Sequence, residues 1–210
     1  AIESKPLIAA SMFGVTTPCV THARTLLEAR GYDVLVFHAT GTGGQSMEKL
    51  ASDGRFAGML DVTTTELADD LVGGVLSAGP ARLEAAGSAG IPQVVSLGAL
   101  DMVNFGPVET VPAEFRARTL YRHNPTVTLM RTTPDECAEL GRRVGAKLAM
   151  AKGPTAVFVP RRGVSMIDVE GQPFHDPEAD EALRAGLRET IGSVEIHELD
   201  LDINDERFAA

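Results

Sequence analysis

The sequence points to an α/β fold, an open, mostly parallel, doubly wound sheet with helices on both faces. Short apolar runs alternate with segments of helical period along nearly the whole chain, the pattern that builds strand–helix–strand crossovers. Hydrophobic residues make up 44% of the chain but aromatics only 5%, so Val, Leu, Ala and Ile carry the core, as suits parallel strands buried on both faces. The first three strand-to-helix connections are short and rich in Gly, Thr and Ser. With 210 residues the chain can bury one sizeable core, and residues 1–210 read as a single domain.

The first strand is expected over Leu7 to Met12. Pro18 suits a first helical turn, and that helix runs to about Arg30, where Gly31 stops it. Asp33 to Phe37 is the second strand. It leads into His38-Ala39-Thr40-Gly41-Thr42-Gly43-Gly44-Gln45-Ser46, read as a loop, and then into a helix from Met47 to Asp53. Gly58 to Val62 is the third strand, and Thr63-Thr64-Thr65 caps a helix from Glu66 to about Val72 with a hydroxyl and an early acid. Pro80 opens a helix from Ala81 to about Ala89, before a fourth strand over Gln93 to Leu97. The stretch from Asp101 to Arg122 holds one weak helical piece, Ala113 to Thr119, and otherwise reads as a long loop of the kind used for lids and partner-binding arms. Asn124 to Met130 is a strand. Thr133-Pro134-Asp135-Glu136 is a strong start for a helix to about Lys152. Ala156 to Pro160, a helix from Glu178 to Thr190 and a strand from Val194 to Leu199 complete the alternation. The two ends, Ala1 to Pro6 and Asn204 to Ala210, read as a linker entering a strand and a helix cut short. The chain is therefore expected to be the C-terminal half of a longer two-domain protein.

The formal net charge is −10. Such a surface repels phosphate backbones and carries no basic stripe, so no nucleic-acid partner is expected. No apolar run approaches the ~18 residues of a membrane span, and no leader pattern opens the chain; a cytoplasmic location with no membrane partner is expected. The two cysteines, Cys19 and Cys137, fit reduced thiols better than a disulfide. Cys137 stands at helical spacing with Leu140, Val144 and Leu148, a core position.

Ligands of doubly wound sheets bind outside the carboxyl ends of the strands. The loops expected there are Phe13–Pro18, His38–Ser46, Val62–Glu66, Leu97–Phe105 and Arg161–Ser165. In the first three, Gly14, Thr16, Thr17, Thr40, Gly41, Thr42, Gly43, Gly44, Thr63, Thr64 and Thr65 offer backbone N–H and hydroxyl donors to an anionic ligand. Tight turns and helix N-caps use the same residues, and the two roles coexist because an N-cap already faces the anion site. Gly41-x-Gly43 is followed by Ser46 where a dinucleotide fingerprint has its third glycine, and no Gly-Lys-Ser/Thr follows. His38, at a strand end, is placed as a general base or to polarise a carbonyl. Glu66 and Asp101 are placed as its acid/base partners or to hold Mg²⁺ beside a phosphate. The structural alternatives are a satisfied strand-end histidine, a helix-dipole acid and a loop-capping Asp. Arg161 and Arg162 follow a strand, either to clamp a phosphate or carboxylate or to pair with the many acids. His22, His123, His175 and His197 are scattered, no spacing resembles a zinc site, and no Gly-x-Ser-x-Gly elbow exists.

Residues 10–19 (ASMFGVTTPC), 37–44 (FHATGTGG), 60–69 (LDVTTTELAD), 98–106 (GALDMVNFG), 123–125 (HNP) and 129–134 (LMRTTP) resemble the Tm-1-like ATP-binding proteins. The likeness spans almost the whole chain. It implies two consecutive Rossmann-like domains of which this is the second, ATP on the Gly/Thr loops with Mg²⁺ as companion, an N-terminal domain of the same protein as partner, and a homodimer. It carries over no catalytic residue. Two other readings stand beside it: an enzyme acting on a small phosphorylated or carboxylated metabolite through His38, Glu66 and Asp101, and an interaction module working through the 101–122 arm.

Overall fold

A computed structural model describes residues 5–210. Six apolar runs pair as one parallel sheet: β1 (Leu7–Met12), β2 (Asp33–His38), β3 (Gly58–Thr63), β4 (Gln93–Gly98), β8 (Thr155–Pro160) and β9 (Glu195–Leu199), in the order β2-β1-β3-β4-β8-β9. The chain leaves β1 toward β2 and returns to β3 on the other side, so the strand order reverses at β1. The crevice at that reversal is where such sheets take ligands.

The strand pleat sends alternate residues to opposite layers. Ala9, Met59, Val95, Leu97, Val157 and Val159 are buried on one face. They pack against α2 (Thr42–Ser52), α3 (Glu66–Val72), α4 (Ala85–Ala89), α5 (Pro134–Ala149) and α6 (Pro177–Thr190). On the other face Ala10 and Val62 meet Cys19 and Val20 of α1 (Thr17–Ala29) and Phe208 of the short α7 (Glu206–Ala209). The start of α5 follows from Thr-Pro-Asp-Glu. The Glu136 N–H donates to Thr133 Oγ1 at 3.2 Å, and the Glu136 carboxylate accepts the Thr133 N–H at 2.8 Å, a reciprocal capping box. Cys19 and Cys137 are both free and buried.

Four details differ from the sequence reading. Helix α2 begins at Thr42, inside the expected loop, because Gly41 takes a φ of 82° and the chain turns straight into the helix. Helix α4 begins at Ala85 rather than Ala81, because the Glu48 carboxylate accepts the Leu83 and Ala85 N–H groups at 2.6 and 2.8 Å and holds the preceding segment as a turn. Thr65 makes no cap to α3; its hydroxyl donates to the Met102 carbonyl at 3.4 Å.

The largest difference is the 101–122 stretch. It contains β5 (Met102–Phe105), 3-10 turns at Val108–Thr110 and Ala113–Phe115, and β6 (Leu120–Asn124). With β7 (Val127–Arg131) these strands form a second, antiparallel sheet in the order β5-β7-β6. All four β5 residues are buried, so the strand shows no alternation to read. Among the described residues no helix is long and apolar enough to cross a membrane.

Candidate functional site at the carboxyl edge of the sheet

The glycine-rich turn after β2 already holds an anion of the protein's own. Gly41 and Gly44 donate their N–H groups to Glu66 Oε1 at 2.7 and 3.1 Å. Arg82 Nε donates to Glu66 Oε2 at 2.6 Å, and the other two guanidinium nitrogens grip Asp61 at 2.5 and 2.7 Å. Glu48 lies at 3.2 Å from the same guanidinium, and Ser11 Oγ donates to Asp61 at 2.6 Å. One fully buried arginine thus ties together β1, β3, α2 and α3. A Cβ on Gly43 would overlap the His38 carbonyl, and one on Gly44 would overlap the Glu66 carboxylate, so interior packing demands both glycines. Burial raises the Glu66 pKa, against the pull of Arg82 and the Gly41 N–H. Burial also works to lower that of Arg82, but the carboxylates of Asp61, Glu66 and Glu48 outweigh it and keep the guanidinium charged.

Most of the threonine donors turn inward too. Thr16 and Thr63 share a hydrogen bond of 2.8 Å, and Thr64 donates to the Ser96 carbonyl at 3.3 Å. Thr17 donates to the Phe13 carbonyl at 3.1 Å and Thr40 to the His38 carbonyl at 3.3 Å. Thr42 and Gly14 are exposed.

Asp101 is enclosed as well. Its Oδ2 accepts from Ser165 Oγ at 2.8 Å, and its Oδ1 has no partner among the described residues. It belongs to a second buried cluster around Arg131, whose guanidinium donates to Asp168 at 3.2 Å and Asp180 at 2.7 Å. Burial pushes Asp168 up to about 8 and Asp101 to about 6. Asp69, which accepts the Asn104 backbone and amide N–H groups at 2.8 and 2.6 Å, is pushed up to about 7 by the same cause. His38, by contrast, is exposed. The three residues grouped as acid/base partners are therefore not brought together: Glu66 lies in the Arg82 cluster, Asp101 in the Arg131 cluster, and His38 at the surface.

Two clefts stand open at this edge: one of about 530 Å³ beside Arg161, Arg162 and Arg184, and one of about 260 Å³, lined by Phe13, Gly14 and Val15 after β1, His38 at the end of β2, and His123, Asn124, Val127 and Leu129 of the β6–β7 hairpin. Packing among Val15, Met102, Leu129, Ile167 and Phe174 fixes the hairpin over the sheet edge. Asn124 Oδ1 accepts from the Thr126 N–H at 2.8 Å, which leaves the amide NH2 as donor.

Sequence reasoning set His123 aside as scattered and did not single out Arg82. The signal for Arg82 was present: Asp61 sits in an apolar strand and Glu66 behind three threonines, an arrangement that needs a buried cation. Of the strand-end arginines, Arg162 forms a two-point ion pair with Asp200 at 2.8 and 2.6 Å. Among the described residues no group of three or more His, Cys, Asp or Glu is placed to hold a metal ion.

Fold and cleft define a doubly wound α/β domain with an open cleft at the carboxyl edge of its sheet. Residues 5–210 match the model of the uncharacterised protein family (UPF0261) C-terminal domain, and the chain belongs to that family. It is 59% identical over 207 residues to a UPF0261 protein of Clostridium tetani, covering 98% of this chain and 51% of that protein. It is 45% identical over 210 residues to the ToMV resistance protein Tm-1(GCR237) of Solanum lycopersicum, covering 99% of this chain and 28% of that protein. The resemblance to Tm-1 proteins is thus borne out at the level of family. The chain spans about half the length of the bacterial relatives it matches. Among solved structures, a thioesterase domain from the curacin biosynthetic pathway aligns over 96% of this chain and 86% of its own, with a TM-score of 0.43 and 11% identity, too distant to bear on chemistry.

Proposed function

We propose that this domain binds a nucleotide, ATP foremost, in the cleft framed by Phe13, His38 and His123. The observation that carries the reading is a pair of exposed imidazoles on one otherwise mainly apolar cleft at the carboxyl edge. Apolar walls suit the faces of an aromatic base, and imidazole nitrogens with the Asn124 amide suit its edge. At about 260 Å³ the cleft suits a base and its ribose better than the whole nucleotide. The phosphates then lie past Gly14, where an added Cβ would meet open space and helix α1 begins, a position that favours anions. No carboxylate lines the cleft, so this chain offers Mg²⁺ no direct ligand there, and any ion would ride on the phosphates. This placement fits ATP better than the Gly41–Gly44 turn, where the Gly41 and Gly44 N–H groups are engaged by Glu66.

Calorimetric titration of the full-length protein with ATP and with adenosine tests the reading. His123→Ala and Phe13→Ala should each weaken binding about tenfold, the equivalent of one lost contact of ~1.4 kcal/mol, while Thr42→Ala leaves it unchanged. Loss with Thr42→Ala but not with His123→Ala would return the ligand to the glycine turn, and no binding of either compound would sink the nucleotide reading. The paired imidazoles also favour a second reading, an enzyme for a small phosphorylated or carboxylated metabolite with His38 as acid or base. In that case His38→Ala abolishes turnover in a metabolite screen; unchanged turnover removes the histidine from the chemistry.

A further inference from the structure

We infer that the cleft beside Arg161, Arg162 and Arg184 binds a small zwitterion of the amino-acid class, its carboxylate on Arg161 and Arg184 and its ammonium between Glu170 and Asp202. The cleft encloses about 530 Å³, within the range of small-molecule sites. It lies past Pro160, the carboxyl end of β8, on the edge where doubly wound sheets take ligands. Its lining comes from the connection 161–176 between β8 and α6, from the first turns of α6, and from Asp202. Connections of that length are usually functional where they are not disordered. This one is pinned from within: Phe174 is buried, and Asp168 accepts the Val164 N–H at 2.8 Å. No residue of the Phe13–His38–His123 cleft lines this one, so the inference is independent of the nucleotide reading.

The charges along this cleft balance only in part within the chain. Arg162 holds both oxygens of Asp200, at 2.8 and 2.6 Å, and Asp180 accepts from Arg131 at 2.7 Å. Arg184, whose side chain is 11% exposed, meets Glu181 through Nε and Nη2, both at 2.9 Å, which leaves Nη1. Arg161 is exposed and forms no ion pair among the described residues; Asp200 feels its charge but is already taken by Arg162. Glu170 is likewise exposed and without an ion pair among the described residues. Asp202 accepts the Asn204 N–H with Oδ1 at 2.8 Å, which leaves Oδ2. One guanidinium and two carboxylates on the same cleft are therefore left over.

That remainder is the complement of a zwitterion. A planar guanidinium takes a carboxylate on two parallel N–H donors, and Arg184 Nη1 supplies one more. An ammonium has three donors and no acceptor, which suits it to a seat between two carboxylates. A plain anion would meet Glu170 and Asp202, and a plain cation would meet Arg161, each with like charges brought together. Val169 and Pro177 give the carbon skeleton an apolar wall. His175 Nδ1 meets the Asp168 carbonyl at 3.1 Å and so carries the proton, which leaves Nε2 as a further polar contact.

Thermal-shift screening of the full-length protein against the proteinogenic L-amino acids at millimolar concentration selects the strongest binder. Calorimetry then measures that amino acid beside its N-acetyl and carboxamide derivatives. The inference predicts saturable binding of the free amino acid and none of either blocked form. Arg161→Gln and Glu170→Gln should each weaken binding about tenfold, since each removes one charge-assisted contact. Both side chains are exposed, so each variant should fold, and Lys49→Gln on α2 keeps full affinity. No shift with any amino acid would overturn the inference, as would binding that survives both Arg161→Gln and Glu170→Gln. An N-acetyl form that binds as tightly as its parent would overturn the zwitterion in favour of a simple carboxylate.

Discussion

Two regions meet at the end of β2, and they differ in whether their polar groups have partners within the chain. The Gly41–Gly44 turn looks like an anion cradle and is one, but the anion is Glu66, held from behind by Arg82. The Phe13–His38–His123 cleft has no conspicuous motif, yet its imidazoles are exposed. Glycine and threonine density therefore reports here on close packing around a buried carboxylate. A site for an external ligand shows itself by what is left without an internal partner.

The sharpest way to break the contrast is at Arg82. Arg82→Met leaves Asp61 and Glu66 buried without their cation, and denaturant unfolding should show a loss of about 3–5 kcal/mol. Gly44→Ala forces a methyl against the Glu66 carboxylate and should cost about 1–3 kcal/mol, as overpacking does. Gly14→Ala in the cleft meets open space and should change stability by no more than ~0.5 kcal/mol. If Gly14→Ala destabilised as much as Gly44→Ala, the two regions would not differ as described.

The second buried cluster sharpens the contrast through pH. Asp168 and Asp101 in that cluster are raised to about 8 and 6 by burial, and Asp69, held apart from it by Asn104, to about 7. The folded chain thus keeps protons there that the unfolded chain releases near pH 4. Their contribution is complete below the unfolded value and is lost as pH rises through the folded ones. Stability should fall between pH 6 and 8, a window in which Glu136 and Asp205, with lowered values, have finished ionising. Melting temperatures across that range check the sign, and Asp168→Asn should flatten the slope. A local effect lies between these: Thr133→Ala removes the α5 cap and should cost about 1 kcal/mol without touching the cleft.

Much of the fold was legible because its signals are local. Alternating apolar runs located the six parallel strands, and Thr133-Pro134-Asp135-Glu136 marked the start of α5 through its own backbone donors. The antiparallel sheet was not legible, since β5 is buried throughout and its partner β7 lies more than twenty residues further on. In the site, His38 was placed at a strand end from its neighbours. Its companion His123 depends on how the hairpin packs against Val15 and Phe174, and no spacing along the chain encodes that contact. The glycines of residues 41–44 were visible, but the carboxylate they enclose comes from a helix twenty-two residues beyond Gly44.

The most direct test of the central claim uses the five histidines of the chain as reporters. Proton NMR of the imidazole resonances is followed as ATP is added to the full-length protein, each signal assigned by single His→Gln replacement. The account predicts that His38 and His123 shift together along one saturating curve while His22, His175 and His197 stay in place. Saturable binding that leaves both His38 and His123 unmoved would contradict it.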